Sequence, residues 1–265
     1  MTARDSVTRI VTRRQMLGLM AAAGAAVVVG CDDDSKTPSG PPTNTLGPEP
    51  SATSPAATAA TSTPEPSALA CTLSPEMTEG PYFVDEMLER ADIRSDPSDG
   101  SPREGTPLAL GMRIYAVEGE ACTPLASALV DVWHCDAAGL YSDAAANNTV
   151  GQKFLRGYQL TDETGAVQFT TIYPGWYTGR AVHIHFKVRT DPQSEQGYEF
   201  TSQLFFDPAL TEQVYAQPPY NERGSPDTAN AADNIYSGGG DQMLLAVTPQ
   251  DDGYAGSIDI GVRMS

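Results

Sequence analysis

Two of the chain's three histidines are separated by a single residue, in His183-Ile184-His185. On a β-strand, residues i and i+2 point to the same face, so the two imidazoles converge on one point. Paired imidazoles at this spacing are candidate metal ligands. For the motif taken alone, the alternative is a pair of partly exposed polar side chains on one face of a sheet.

Just upstream of the histidines runs the loop-like segment Tyr173-Pro174-Gly175-Trp176-Tyr177-Thr178-Gly179-Arg180. Glycine permits sharp turns and proline stiffens them, so the loop can aim Tyr177 and Arg180 at the point that the histidines face. A second candidate, Tyr141, ends residues 132–141, which are typical of a strand entering a loop. Tyr173 is the alternative to Tyr177, and we expect the third histidine, His134, to have a structural role.

Three segments together resemble the intradiol ring-cleavage dioxygenases, the catechol and protocatechuate 3,4-dioxygenase type. They are residues 133–141, residues 174–186 and Thr78-Glu79-Gly80-Pro81-Tyr82. The likeness covers roughly residues 71–262 and is strongest to exported members that follow a signal and a linker. The order Tyr, then Pro-Gly-x-Tyr, then Arg-x-x-His-x-His makes the likeness highly specific.

The resemblance implies an Fe(III) ion held by four ligands: Tyr141, Tyr177, His183 and His185. Phenolates are hard anionic donors that favour ferric iron, and imidazoles complete a mixed N/O site. By position, Arg180 matches the family arginine that lies over the substrate ring and stabilises its developing charge. Gln203 matches a glutamine that supports the site, and Tyr82 and Trp176 are candidate walls of the substrate pocket.

The implied reaction splits a catechol-type ring with O2 between the two hydroxylated carbons and gives a cis,cis-muconate-type product. Tyr177 would leave the metal and act as a base. No basic residue besides Arg180 marks a pocket for a carboxylate, which favours catechols over protocatechuate. Two alternatives remain open: a tethered β-sandwich binding lipoprotein without catalysis, and an enzyme that holds zinc or copper on the histidine pair.

The elements that must position these residues are short β-rich runs separated by turns. They are residues 108–117, 128–134, 154–160, 166–172, 183–188, 202–206 and 257–262. This pattern predicts an all-β fold, an antiparallel β-sandwich with long active-site loops. Residues 161–165 form a predicted hairpin loop, and the connection 207–241 is long enough to be a functional lid.

The N-terminus predicts export. Residues 12–17 resemble a twin-arginine signal, and the acid-free apolar run 16–30 is shorter than the about 20 residues of a membrane span. Val28-Val29-Gly30-Cys31 resembles a lipobox, so we expect a lipid anchor at Cys31 and a location at the cell envelope. Residues 1–31 are then the signal, 32–70 a disordered Pro/Ser/Thr/Ala tether, and 71–265 the folded domain.

The net charge of −18 repels phosphates and makes nucleic acid an improbable partner. The expected partners are a small aromatic diol and O2. If Cys31 carries lipid, three cysteines remain, so at most one intramolecular disulfide can form. We favour the pair Cys71 and Cys122, and we expect Cys135, inside a predicted strand, to stay a buried thiol.

Overall fold

The computed structural model describes residues 72–191 and 197–264. The predicted signal and tether, residues 1–31 and 32–70, lie outside the described residues. No helix among the described residues is long and apolar enough to cross a membrane. The strands are β1 (Pro107–Glu118), β2 (Ala121–Pro124), β3 (Leu129–Trp133), β4 (Arg156–Leu160), β5 (Ala166–Ile172), β6 (His183–Arg189), β7 (Glu199–Phe205), β8 (Ala246–Gln250) and β9 (Gly253–Arg263).

These strands form two sheets. One has the order β2-β1-β9-β8, and β5 pairs with β1 beside β2; the other has the order β4-β3-β6-β7. The all-β, two-sheet prediction is confirmed, and the seven predicted strands are present, six of them with shifted ends. The pairing of β1 with β9 is parallel, which departs from the predicted antiparallel arrangement. Strands β2 and β8 were not predicted.

The predicted hairpin at residues 161–165 is wrong. The turn itself forms, because the Asp162 carboxylate accepts hydrogen bonds from the backbone N–H groups of Thr164 and Ala166. The flanking strands then separate: β4 pairs with β3 in one sheet, and β5 pairs with β1 in the other. A turn signal fixes the local chain reversal, but the packing of apolar faces decides which strands pair.

The core lies between the sheets and is built by alternation along the strands. In β1, Leu108, Leu110 and Met112 are buried at every second position. In β6, Ile184 and Phe186 point into the same apolar cluster. Each such side chain contributes about 1.5–3 kcal/mol on full burial. The alternate residues of β6, including both candidate ligands, therefore face the opposite side of their sheet.

That opposite face is covered by the segment before β1, so β6 is buried along its whole length. The Lys187 ammonium lies 2.7 Å from the Glu79 carboxylate and 4.2 Å from the centre of the Phe83 ring. The Arg189 guanidinium lies 2.7 Å from the Asp85 carboxylate. These contacts fix the segment that carries Tyr82 across the histidine face.

The long connection after β7 is ordered rather than irregular. It begins with helix α1 (Pro208–Tyr215), where the Asp207 carboxylate accepts hydrogen bonds from the first turn and Pro208 starts the helix. Four short 3-10 helices follow: Tyr220–Glu222, Asn230–Ala232, Tyr236–Gly238 and Gly240–Met243. Movement of this long connection as a lid remains a prediction.

The cysteines agree with the expectation where they are described. Cys122 is disulfide-bonded, and its predicted partner, Cys71, lies outside the described residues. Cys135 is a free, buried thiol, and burial raises its pKa far above the usual range. The Cys135 thiol is therefore protonated and unreactive.

Candidate metal centre

Four side chains converge on one point at the end of β6. The Nε2 atoms of His183 and His185 are 3.0 Å apart. The Tyr141 and Tyr177 hydroxyl oxygens each lie 3.4 Å from Nε2 of His183. All four residues of the predicted ligand set are thus brought together, from three separate parts of the chain.

The orientation of the His183 ring is set by the backbone. Its Nδ1 lies 2.6 Å from the Ala181 carbonyl oxygen. A carbonyl can only accept, so Nδ1 carries the proton and Nε2 presents its lone pair to the centre. The His185 ring is held by a different contact, because it stacks on Trp133 with the ring planes 6° apart and the centroids at 5.0 Å.

Strand register explains this second contact. Trp133 of β3 lies directly opposite His185 of β6, and His185 lies opposite Gln203 of β7. Directly opposite residues share a face of the sheet, so the three side chains form one row. The contribution of Trp133 was missed at the sequence level, since the signal lies in the pairing of strands and not in the motif.

Two glycines allow the tyrosine-bearing loops to meet. A Cβ at Gly175 would overlap the carbonyl oxygen of Asp136, and a Cβ at Gly139 would overlap that of Trp176. The two loops therefore pack backbone against backbone, at a distance that a side chain would forbid. This packing brings the phenol of Tyr177 to that of Tyr141, with ring centroids 5.7 Å apart.

Tyr82, a predicted pocket residue, lies at the centre. Its ring stacks on Tyr141 with centroids 4.4 Å apart and meets Tyr177 edge-on at 5.9 Å. The other predicted pocket residue, Trp176, donates its indole N–H to the Gly224 carbonyl and packs under the Arg223 guanidinium. A role for Trp176 toward substrate stays a prediction.

Arg180 is held at two edges of its guanidinium. Nε donates to the Asp233 carboxylate at 2.9 Å, and Nη2 donates to the Gln203 side-chain oxygen at 2.5 Å. The third nitrogen, Nη1, lies 3.4 Å from the Tyr177 hydroxyl and 3.5 Å from His183 Nε2. Arg180 and Gln203 therefore lie beside the four donors, with one cationic edge of Arg180 facing the centre.

The protein surroundings shift the pKa of each of the four donors toward its neutral form. Burial, and then the charge of Arg180, lower the pKa of His183 to about 3. Burial raises the pKa of Tyr141 well above its usual value. Burial also raises the pKa of Tyr177, although the charge of Arg180 opposes the shift. A buried phenolate needs a nearby cation, so two such phenols beside two imidazole nitrogens suit a bound metal ion.

The spacing of the donors fits one metal ion. First-row ions bind nitrogen and oxygen at roughly 2.0–2.2 Å, so neighbouring ligands of one ion stand roughly 3 Å apart. The observed separations of 3.0 and 3.4 Å agree with this. No group of three or more His, Cys, Asp or Glu side chains in residues 72–191 and 197–264 could hold a metal. A metal ion at this point would therefore take phenol oxygens as ligands beside the two imidazoles.

The polar atoms of Tyr173 and His134 bond to partners outside the centre. The Tyr173 hydroxyl pairs with Thr211 at 2.7 Å, so Tyr173 does not replace Tyr177. His134 bonds to the Cys135 carbonyl and, at 2.6 Å, to the Thr171 hydroxyl, which is a structural role.

Two tyrosines of the long connection also bond to partners outside the centre. Tyr215 and Tyr220 donate to backbone carbonyls of Pro174 and Tyr173. They therefore brace the loop that carries Tyr177.

Residues 78–217, more than half of the chain, match the protein family described as "Dioxygenase". The matched region includes the four candidate ligands, Arg180 and Gln203. The chain belongs to the intradiol ring-cleavage dioxygenase family. A solved structure, "Intradiol ring-cleavage Dioxygenase from Tetranychus urticae", is 30% identical with a TM-score of 0.64; the match covers 73% of this chain and 96% of that one.

Two other relatives are informative. The dioxygenase domain of a dioxygenase carbohydrate-binding protein fusion from Streptomyces sp. SirexAA-E is 26% identical over 73% of this chain and all of that one, with a TM-score of 0.54. A chlorocatechol 1,2-dioxygenase from Pseudomonas putida is 31% identical over 150 residues, 49% of this chain and 52% of that protein. The chain spans about half the length, or less, of the curated relatives it matches.

Proposed function

We propose that this protein is an Fe(III)-dependent intradiol dioxygenase that cleaves catechol-type aromatics with O2 between the two hydroxylated carbons. The observation that carries the proposal is the convergence of two phenol oxygens and two imidazole nitrogens on one point. The relatives named catechol and chlorocatechol 1,2-dioxygenase support the substrate class. The product would be a cis,cis-muconate-type acid.

The donor set favours ferric iron over zinc or copper. Phenolate oxygens are hard and anionic, and they stabilise the higher oxidation state of iron. No carboxylate among the described residues contacts the four donors, which separates the site from the ferrous type with two histidines and one carboxylate. A binding module without catalysis would leave this donor set and Arg180 without a role.

Tyr141, Tyr177, His183 and His185 would hold a ferric ion, which would supply Lewis-acid activation of a bound diol. The protein groups provide the rest. Tyr177 is a half-buried residue beside Arg180, and its phenolate, which a bound ferric ion would stabilise, is the group placed to accept a proton from the substrate. Nη1 of Arg180 faces the same space and would stabilise negative charge on the ring. Tyr82 and Trp133 pack around the centre and exclude water from it.

The position of Arg180 favours catechols without a carboxylate. Two edges of its guanidinium are already occupied, by Asp233 and by Gln203. A guanidinium binds a carboxylate most strongly through two parallel hydrogen bonds, and Arg180 has no second free edge to offer them. Catechol and its hydroxylated or halogenated derivatives therefore fit this site better than protocatechuate.

Iron content and colour test the proposal directly. We expect the purified protein to contain about one iron per chain, to absorb visible light through phenolate-to-iron charge transfer, and to consume O2 when catechol is added. Removal of the iron with a chelator should abolish both the colour and the O2 uptake, and ferric iron should restore them. A colourless, iron-free protein that takes up no O2 would favour the binding lipoprotein instead.

We propose further that the enzyme is exported and lipid-anchored at Cys31, a residue outside the described part of the chain. The twin-arginine-like residues 12–17 and the lipobox-like residues 28–31 support this. Metabolic labelling with a fatty acid should mark the wild-type protein and not Cys31→Ser. Equal absence of label from both proteins would contradict the anchor and leave the proposed reaction untouched.

A further inference from the structure

Asp233 is a fully buried carboxylate with four hydrogen-bond donors around it. Its side chain has an exposed fraction of 0%. One oxygen accepts from Arg180 Nε at 2.9 Å and from the Ala181 backbone N–H at 2.8 Å. The other accepts from the backbone N–H groups of Ile235 at 2.7 Å and Tyr236 at 3.3 Å. This carboxylate therefore joins Arg180 to the long connection after β7.

The long connection after β7 contacts the loop of residues 173–181 along the whole length of that loop. Its polar contacts run from one end of that loop to the other: Tyr220 to Tyr173, Tyr215 to Pro174, Gly224 to Trp176, Asp227 to Gly179, and Asp233 to Arg180 and Ala181. The first four of these contacts involve the backbone of the loop or the Trp176 indole. The contact of Asp233 reaches the side chain whose charge faces the metal centre.

The geometry around Arg180 shows what this contact determines. A guanidinium is planar, so holding two of its edges fixes the plane and the direction of the third. Asp233 holds Nε and Gln203 holds Nη2, and Gln203 is itself fixed by donating to the Thr78 carbonyl at 2.8 Å. Without Asp233, one edge is free and the guanidinium can rotate about the remaining contact.

We propose that Asp233 is a positioning residue, which holds Arg180 so that Nη1 points at the substrate ring. This inference rests on the proposed function. The buried charge pair has a second consequence, because Asp233 balances part of the cationic charge of Arg180 while leaving Nη1 toward the centre. A neutral asparagine would keep the size of the side chain but would lose one acceptor and the charge.

The experiment compares Asp233→Asn with Asp227→Asn in the iron-loaded protein. Asp227 makes the matched control, since it lies in the same connection and accepts from the Gly179 N–H at 3.1 Å without contacting Arg180. We expect Asp233→Asn to lower kcat for catechol by about 10²-fold, the order of loss that a misplaced catalytic group causes. Iron content and the visible band should be unchanged, and Asp227→Asn should keep kcat within about twofold of wild type.

A double-mutant cycle with Arg180→Gln separates positioning from a general loss of structure. If Asp233 acts through Arg180, Asp233→Asn should lower kcat by less than about twofold in the Arg180→Gln background. An equal loss in both backgrounds would overturn the inference. So would equal losses in Asp233→Asn and Asp227→Asn. Asp233→Glu keeps the charge and should recover part of kcat. It replaces Asp233→Asn in these measurements if the asparagine variant does not fold.

A binding measurement does not depend on turnover. The anaerobic affinity for a nitrocatechol, read from its visible absorbance, should weaken by similar factors in Asp233→Asn and Arg180→Gln, with no further loss in the double variant. Wild-type protein that binds the nitrocatechol but turns over no catechol would contradict the proposed reaction, while these affinities still decide the role of Asp233. Unchanged affinity in Asp233→Asn together with unchanged kcat would overturn that role.

Discussion

Replacing His183 with alanine is expected to abolish iron binding, the visible band and O2 uptake together. His183 Nε2 lies within 3.4 Å of the donor atoms of both tyrosines and of His185, so it is the point at which the set meets. Loss of a residue that merely supports a ligand costs about 10–100-fold in metal affinity, and loss of a ligand should cost more. Iron per chain, measured after gel filtration, checks the prediction.

The matched control for this variant is His134→Ala. His134 is equally buried and makes two hydrogen bonds, but both go to structural partners. It should retain iron and colour while the free energy of unfolding falls by about 1–3 kcal/mol, because Thr171 loses its buried partner. If His183→Ala kept full iron and activity, the assignment of the centre would be wrong.

The second large effect is expected from Tyr177→Phe. The phenylalanine ring keeps the packing against Tyr82 and Tyr141 but removes the hydroxyl that lies beside His183 and Arg180. One phenolate-to-iron charge-transfer contribution is lost, so the visible band should shift and weaken. Loss of the base should lower kcat by about 10²–10⁴-fold. Visible spectra and steady-state kinetics of the same preparation measure both effects.

Tyr173→Phe makes the corresponding control four residues away. The Tyr173 hydroxyl bonds to Thr211 and not to the centre, so removing it should leave the visible band in place and cost only about 1 kcal/mol of stability. Equal spectral changes in the two variants would show that Tyr177 is not a specific ligand. An unchanged band in Tyr177→Phe alone would lead to the same conclusion.

Much of the centre could be predicted from sequence because its signals are local. Side chains alternate along a strand, which places His183 and His185 on one face. The order of the motifs resembles that of the family, and this resemblance implied Tyr141, Tyr177 and Arg180. The seven predicted strands share one property, a run of apolar or β-branched residues between turns. Strands β2 and β8 lack it, since they are short and mostly exposed.

The rest of the centre depends on tertiary contacts that have no local signal. Asp233 lies 53 residues from Arg180 and has no motif around it, so nothing in the sequence connects the two. Trp133 reaches His185 through the pairing of β3 with β6. Helix α1 is different, because Asp207 followed by Pro208 is a helix-start signal that was present and not used.

The position of cleavage tests the central proposal most directly. Purified iron-loaded protein is incubated with catechol in O2-saturated buffer, and the product is identified by mass and absorbance. The proposed site predicts cis,cis-muconate, with the mass of catechol plus one O2 and no yellow semialdehyde. An extradiol semialdehyde, which forms when the bond between a hydroxylated carbon and its unhydroxylated neighbour is cleaved, would contradict the proposal. So would the absence of any product when iron-loaded protein is given a panel of catechols.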